Sequence, residues 1–146
     1  MSVNSRTVKA VPDHVWDVLR DGWLYPVWVV GATRMRDVDN TWPQVGSKLH
    51  HSAGVWPVVV DDNTEVLDVD SGRFLRLRAR GWPMGEAEVK ITLTASGAET
   101  LVQIEEDAVS GPALLVPKPA RDQMMKVRNE ESLLRLSFVA ERRSTG

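Results

Sequence analysis

Arg73-Phe74-Leu75-Arg76-Leu77-Arg78-Ala79-Arg80 alternates without a break, with Leu75, Leu77 and Ala79 on one face of an extended chain and Arg76, Arg78 and Arg80 on the other. Such alternation describes a strand with one buried and one wet face, as in an antiparallel sheet covered on one side. After a turn at Gly81-Trp82-Pro83-Met84-Gly85 the pattern repeats, with Ala87, Val89, Ile91 and Leu93 inward and Glu88, Lys90 and Thr92 outward. Ser96-Gly97 turns the chain again. Val102 and Ile104 then carry the inward face of a last strand, which Ser110-Gly111-Pro112 ends.

N-terminal to this stretch, Ser71-Gly72 is a turn, and Val58 to Val69 and Lys48 to Ala53 are strands. The turn between them falls near Gly54, with Asp61-Asp62-Asn63 as the alternative. Trp42 to Gly46 is a loop and Thr33 to Asp39 another strand. Val3 to Ala10 reads as an opening strand. Pro12 follows as a first helical residue, where its missing N–H costs nothing, and Asp13 favours the helix dipole. Val11, Val15, Val18 and Leu19 recur at helical spacing until Gly22, and Pro26 limits Trp23 to Trp28 to a second short helix or turn.

At the other end, Pro117 and Pro119 interrupt the chain, and one long helix is expected from about Ala120 to Arg142. It carries two apolar stripes. Met125, Leu133, Leu136, Val139 and Ala140 form one; Ala120, Met124, Val127, Leu134 and Phe138 form the other. Arg128, Glu131 and Arg135 lie between them at spacings that allow pairing along the helix. One stripe grips the sheet. The other, if exposed, is a partner surface, predicting a homodimer or a cover of the two early helices.

A chain of 146 residues is one domain by size, residues 1–146, and buries roughly 70% of its extended-chain surface. It has no cysteine, which removes disulfides, thiolate metal sites and cysteine nucleophiles and fits a reducing cytosol. Ser2 to Arg6 lacks the apolar region of a signal peptide, and runs such as Val27 to Val30 are too short to span a bilayer, so a cytoplasmic protein without an integral membrane segment is expected. A net charge of −2 offers no field for nucleic acid, and the arginine row is explained by cross-strand pairing with Glu86 and Glu88. Six tryptophans against one tyrosine and two phenylalanines point to packing or to the walls of a ligand site.

Few residues carry candidate chemistry. His50 and His51 are neighbours on a strand and point to opposite faces, so they cannot chelate one metal together. With Leu49 inward, His51 is inward too, either as a hydrogen-bonded core histidine or as a group that meets a ligand or handles a proton. Three scattered histidines and no cysteine argue against a metal, and no cofactor motif is present. In Glu105-Glu106-Asp107, Glu106 follows the inward face of Val102 and Ile104. It needs a partner, water or a raised pKa, unless the strand has already opened to solvent there. Asn129 shares the core-facing stripe of Met125, Leu133, Leu136 and Ala140, and a buried amide needs partners. Asn129, His51 and Glu106 are therefore expected on one cavity between helix and sheet. Trp28 and Trp56 stand near its wall or mouth, and Trp82 is a further loop tryptophan.

The order of strand, two short helices, a run of strands and one long helix resembles the START-like helix-grip superfamily, the polyketide cyclase/dehydrase and lipid-transfer (SRPBCC) group. The matching features are Val11 to Leu19, Tyr25-Pro26-Val27-Trp28, Val45-Gly46, Thr64-Glu65-Val66, Glu99 to Val102 and the closing helix with Asn129 and Leu133. The resemblance implies an α+β fold, a curved antiparallel sheet wrapped around the long helix. It implies a cavity for lipids, hormones or aromatic polyketides, and some members catalyse cyclisation or hydrolysis. No catalytic motif is shared. The first expectation is a binding or carrier protein for a hydrophobic small molecule. The second is a cyclase/dehydrase-like or hydrolase-like enzyme using His51 and Glu106 as acid–base groups. The third is an interaction domain whose cavity its own side chains fill.

Overall fold

The computed structural model describes residues 1–30, 32–55, 58–81 and 85–145. Strand β1 (Ser2–Val8) leads to helix α1 (Pro12–Leu19), a 3-10 turn (Gly22–Leu24) and helix α2 (Tyr25–Trp28). Six strands follow: β2 (Ala32–Val38), β3 (Lys48–Val55), β4 (Val58–Asp70), β5 (Phe74–Gly81), β6 (Gly85–Ser96) and β7 (Glu99–Ser110). A second 3-10 turn (Pro112–Leu115) leads into the long helix α3 (Lys118–Thr145). The fold is the expected helix grip, a curved antiparallel sheet on a long C-terminal helix.

The sheet has seven strands in the order β1-β7-β6-β5-β4-β3-β2, all antiparallel. From β2 to β7 it is a meander, and β1 adds itself to the far edge through the pairing of Ser2 with Glu106 down to Val8 with Thr100. Register shifts at Val66/Asp68 and Glu86/Ala87 and in β2 bend the ladder, as bulges do. Val55 pairs with Val58 in the β3–β4 ladder, and Asp61-Asp62-Asn63 lie inside β4, which excludes the alternative turn.

One face of the sheet supplies Leu49, Val66, Leu75, Leu77, Ile91, Val102 and Ile104 to a single apolar cluster. Leu133, Leu136 and Ala140 meet them from α3, and Val15, Val18 and Leu19 from α1. Gly22 permits close approach of its turn: a Cβ there would lie 2.5 Å from Leu49 Cδ2 and 2.8 Å from Val38 Cγ1.

Helix α3 begins at Lys118, ahead of Ala120, because Pro119 falls in the first turn, where no intrahelical N–H bond is required. The stripe containing Leu133, Leu136 and Ala140 is the buried one. Met124, Val127 and Phe138 of the other are 66%, 60% and 57% exposed, so the early helices do not cover them. Those helices meet α3 elsewhere, and the Val30 amide donates to Ser132 Oγ at 3.1 Å. Among the described residues no helix is long and apolar enough to cross a membrane.

Candidate functional site

The C-terminal half of α3 closes the core. Its first half is bonded to the sheet at Asn4 and Glu106 and borders a pocket of about 550 Å³ between helix, sheet and α2. Ala79, Val89 and Ile104 are among the apolar side chains of the wall. His51, Glu106, Asn129 and Trp28 all line this one pocket, whereas Trp56 and Trp82 lie outside the described residues.

Glu106 is 4% exposed, and β7 continues past it to Ser110, so it is not at an opened strand end. It sits between Ser2 of β1 and Val89 of β6 in the ladder. Two donors from α3 satisfy its carboxylate. Asn129 Nδ2 donates to Oε1 at 2.9 Å, and Arg128 Nη2 donates to Oε2. Asn129, itself 5% exposed, thereby finds the polar sheet residue that a buried amide needs.

Arg128 was not legible as a site residue, because helix spacing offered it Glu131 as a partner. In the structure Glu131 pairs with Arg135 at 3.2 Å instead. The signal was available in Glu106: a buried carboxylate requires a donor, and Arg128 adjoins Asn129 on the helix.

His51, 3% exposed, belongs to a second polar group. Its Nε2 lies 2.8 Å from Thr64 Oγ1, the Tyr25 hydroxyl lies 3.3 Å from the same oxygen, and the rings of Tyr25 and His51 stack with centroids 5.5 Å apart. Tyr25 also meets Trp28 edge to face, at 5.9 Å between centroids. Burial pushes the Tyr25 phenol up, opposed by the bond to Thr64 and the charge of Arg128. Burial pushes the His51 imidazole down, opposed by Asp62, so the ring is held neutral. Sequence alone does not mark Tyr25 and Thr64 as site residues, because a lone tyrosine before a proline and a strand threonine look like ordinary packing.

His50 faces the other way, its Nε2 2.9 Å from Asp39 Oδ1, which settles the strand phase. Among the described residues no group of histidine and carboxylate side chains could hold a metal. Arg80 departs from the outer row: it lines the pocket beside Glu86, which it meets at 2.9 Å.

Structural relatives share this arrangement of sheet and helix. A conserved protein from Geobacillus kaustophilus superposes with a TM-score of 0.74 at 16% identity, covering 96% of this chain and 94% of that one. A protein from Mesorhizobium loti gives 0.69 at 21% identity over 96% of each chain. The di-domain ARO/CYC StfQ of the steffimycin biosynthetic pathway gives 0.74 at 11% identity, over 99% of this chain and 51% of that one. At such identities the likeness is one of fold. No curated protein matches the chain by sequence. The family model described as polyketide cyclase/dehydrase and lipid transport matches residues 2–140, and the chain belongs to that family, within the SRPBCC superfamily.

Proposed function

We propose that this protein binds or carries a small, largely apolar molecule in the pocket between α3 and the sheet. The observation that carries this reading is a pocket of ligand size, about 550 Å³, with an apolar wall and two compact polar groups. Glu106 argues against acid–base chemistry at that position, because both its oxygens already accept hydrogen bonds from Arg128 and Asn129. An ion-paired carboxylate of this kind orients donors and polarity rather than shuttling protons. His51, Glu106, Asn129 and Trp28 are the proposed ligand-contacting residues, together with Tyr25 and Arg128.

A cyclase-like or hydrolase-like enzyme is the second reading. One observation favours it: the His51 imidazole, its pKa held down by burial, stands on the pocket wall, hydrogen-bonded through Thr64 to a phenol. Native mass spectrometry of protein from its own host tests both. A retained small molecule released unchanged on denaturation supports binding. A released molecule that differs from the one loaded, with conversion lost in His51→Ala, supports the enzyme. An empty protein that takes up no apolar probe removes both.

A further inference from the structure

We propose, on the reading that the pocket holds a small molecule, that its ligand is an anionic amphiphile whose carboxylate or like oxyanion is received by Arg121 while its apolar body lies inward. Besides the Tyr25 phenol, whose pKa burial raises, six ionisable side chains line the pocket among the described residues: His51, Arg80, Glu86, Glu106, Arg121 and Arg128. Arg80 is matched to Glu86 at 2.9 Å and Arg128 to Glu106. His51 is neutral. Arg121 pairs with no carboxylate among the described residues, and its sequence neighbour Asp122 is held by Lys118 at 3.2 Å. The pocket therefore carries one uncompensated positive charge against an apolar wall.

The guanidinium also keeps one edge free for an anion. Arg121 Nη1 donates to the Val116 carbonyl at 3.3 Å, which ties one edge of the fork to the chain before α3. The opposite edge, Nε with Nη2, has no acceptor among the described residues, and Nε is shielded from water. That edge is the one a carboxylate grips with two parallel hydrogen bonds. A buried donor left unmade is costly, so an arriving oxyanion both neutralises the charge and satisfies the donor. Met124 lines the pocket yet is 66% exposed, and Leu115 nearby is 87% exposed, so this end of the pocket meets solvent. A ligand entering there places its charged head at Arg121 and its body against Val89 and Ile104.

Calorimetric titration with matched probes tests this: decanoate against 1-decanol, and 2-naphthoate against 2-naphthalenemethanol. In the native protein the acid of at least one pair is expected to bind roughly tenfold tighter than its alcohol, as for a charge-assisted pair away from full solvent. The pair that shows the preference distinguishes an alkyl from a fused aromatic body. Arg121→Gln is expected to bring acid and alcohol within about twofold, and Arg121→Lys to keep part of the difference, because a point charge replaces a two-pronged donor. Thermal melts confirm that both variants fold. Equal affinity of acid and alcohol in both pairs, or a preference unchanged in Arg121→Gln, overturns the proposal and leaves small-molecule binding standing. Failure of all four probes to bind overturns both.

Discussion

Arg128 of α3 reaches across to Glu106 of β7, and the adjoining Asn129 takes the other oxygen of the same carboxylate. One buried acid on the sheet thus fixes two consecutive helix residues at the pocket. Glu106→Ala removes the acceptor of a buried amide and the partner of a half-exposed guanidinium. The expected loss is about 1–3 kcal/mol in urea unfolding. Glu106→Gln keeps an acceptor for Asn129 and should lose less. An alanine variant as stable as the native protein contradicts this role.

His51 makes stability depend on pH. Burial holds its folded pKa below the ordinary value near 6.5. The unfolded chain takes a proton first as pH falls, so stability is full above about 6.5, declines below it and flattens beneath the folded value. The slope from one such group is at most about 1.4 kcal/mol per pH unit. Urea titrations at pH 7.5 and 5.5 should show a larger decline for the native protein than for His51→Gln. Equal declines would show that His51 titrates alike in both states.

Arg76 and Arg78 lie on the outer face, meeting Glu88 at 3.7 and 2.9 Å. Both are partly solvated, so replacing the two with glutamine should cost only about 0–1 kcal/mol each and leave ligand affinity within a few-fold. A large loss of affinity in the folded double variant would place this face in the site after all. Arg80 is excluded from the test because it lines the pocket.

Met124, Val127 and Phe138 stand exposed on α3 and contribute little to the core. Changing Val127 and Phe138 to glutamine should leave unfolding free energy within about 0.5 kcal/mol per site. Light scattering at high concentration then asks whether the stripe joins two copies. A dimer that the double variant dissolves assigns it to self-association, and a native monomer removes that role.

The sequence by itself determined the elements and their inward faces. Strict alternation from Arg73 to Arg80 and from Ala87 to Leu93 can satisfy only a sheet with one covered face; the phase of Leu49 placed His51 inside and His50 outside, and that of Val102 and Ile104 placed Glu106 inside. The four-and-three spacing of Met125, Asn129, Leu133, Leu136 and Ala140 likewise selected the gripping stripe of α3. Tertiary structure decided what these inward groups meet. The partnership of Glu106 with Arg128 and the stacking of Tyr25 on His51 join elements far apart in the chain. Local spacing even suggested a competing partner, Glu131, for Arg128. Periodicity reports which side of an element is dry, because that depends only on neighbours along the chain. The pairing of polar groups inside depends on how far the helix stands off the sheet, and no stretch of sequence encodes that distance alone.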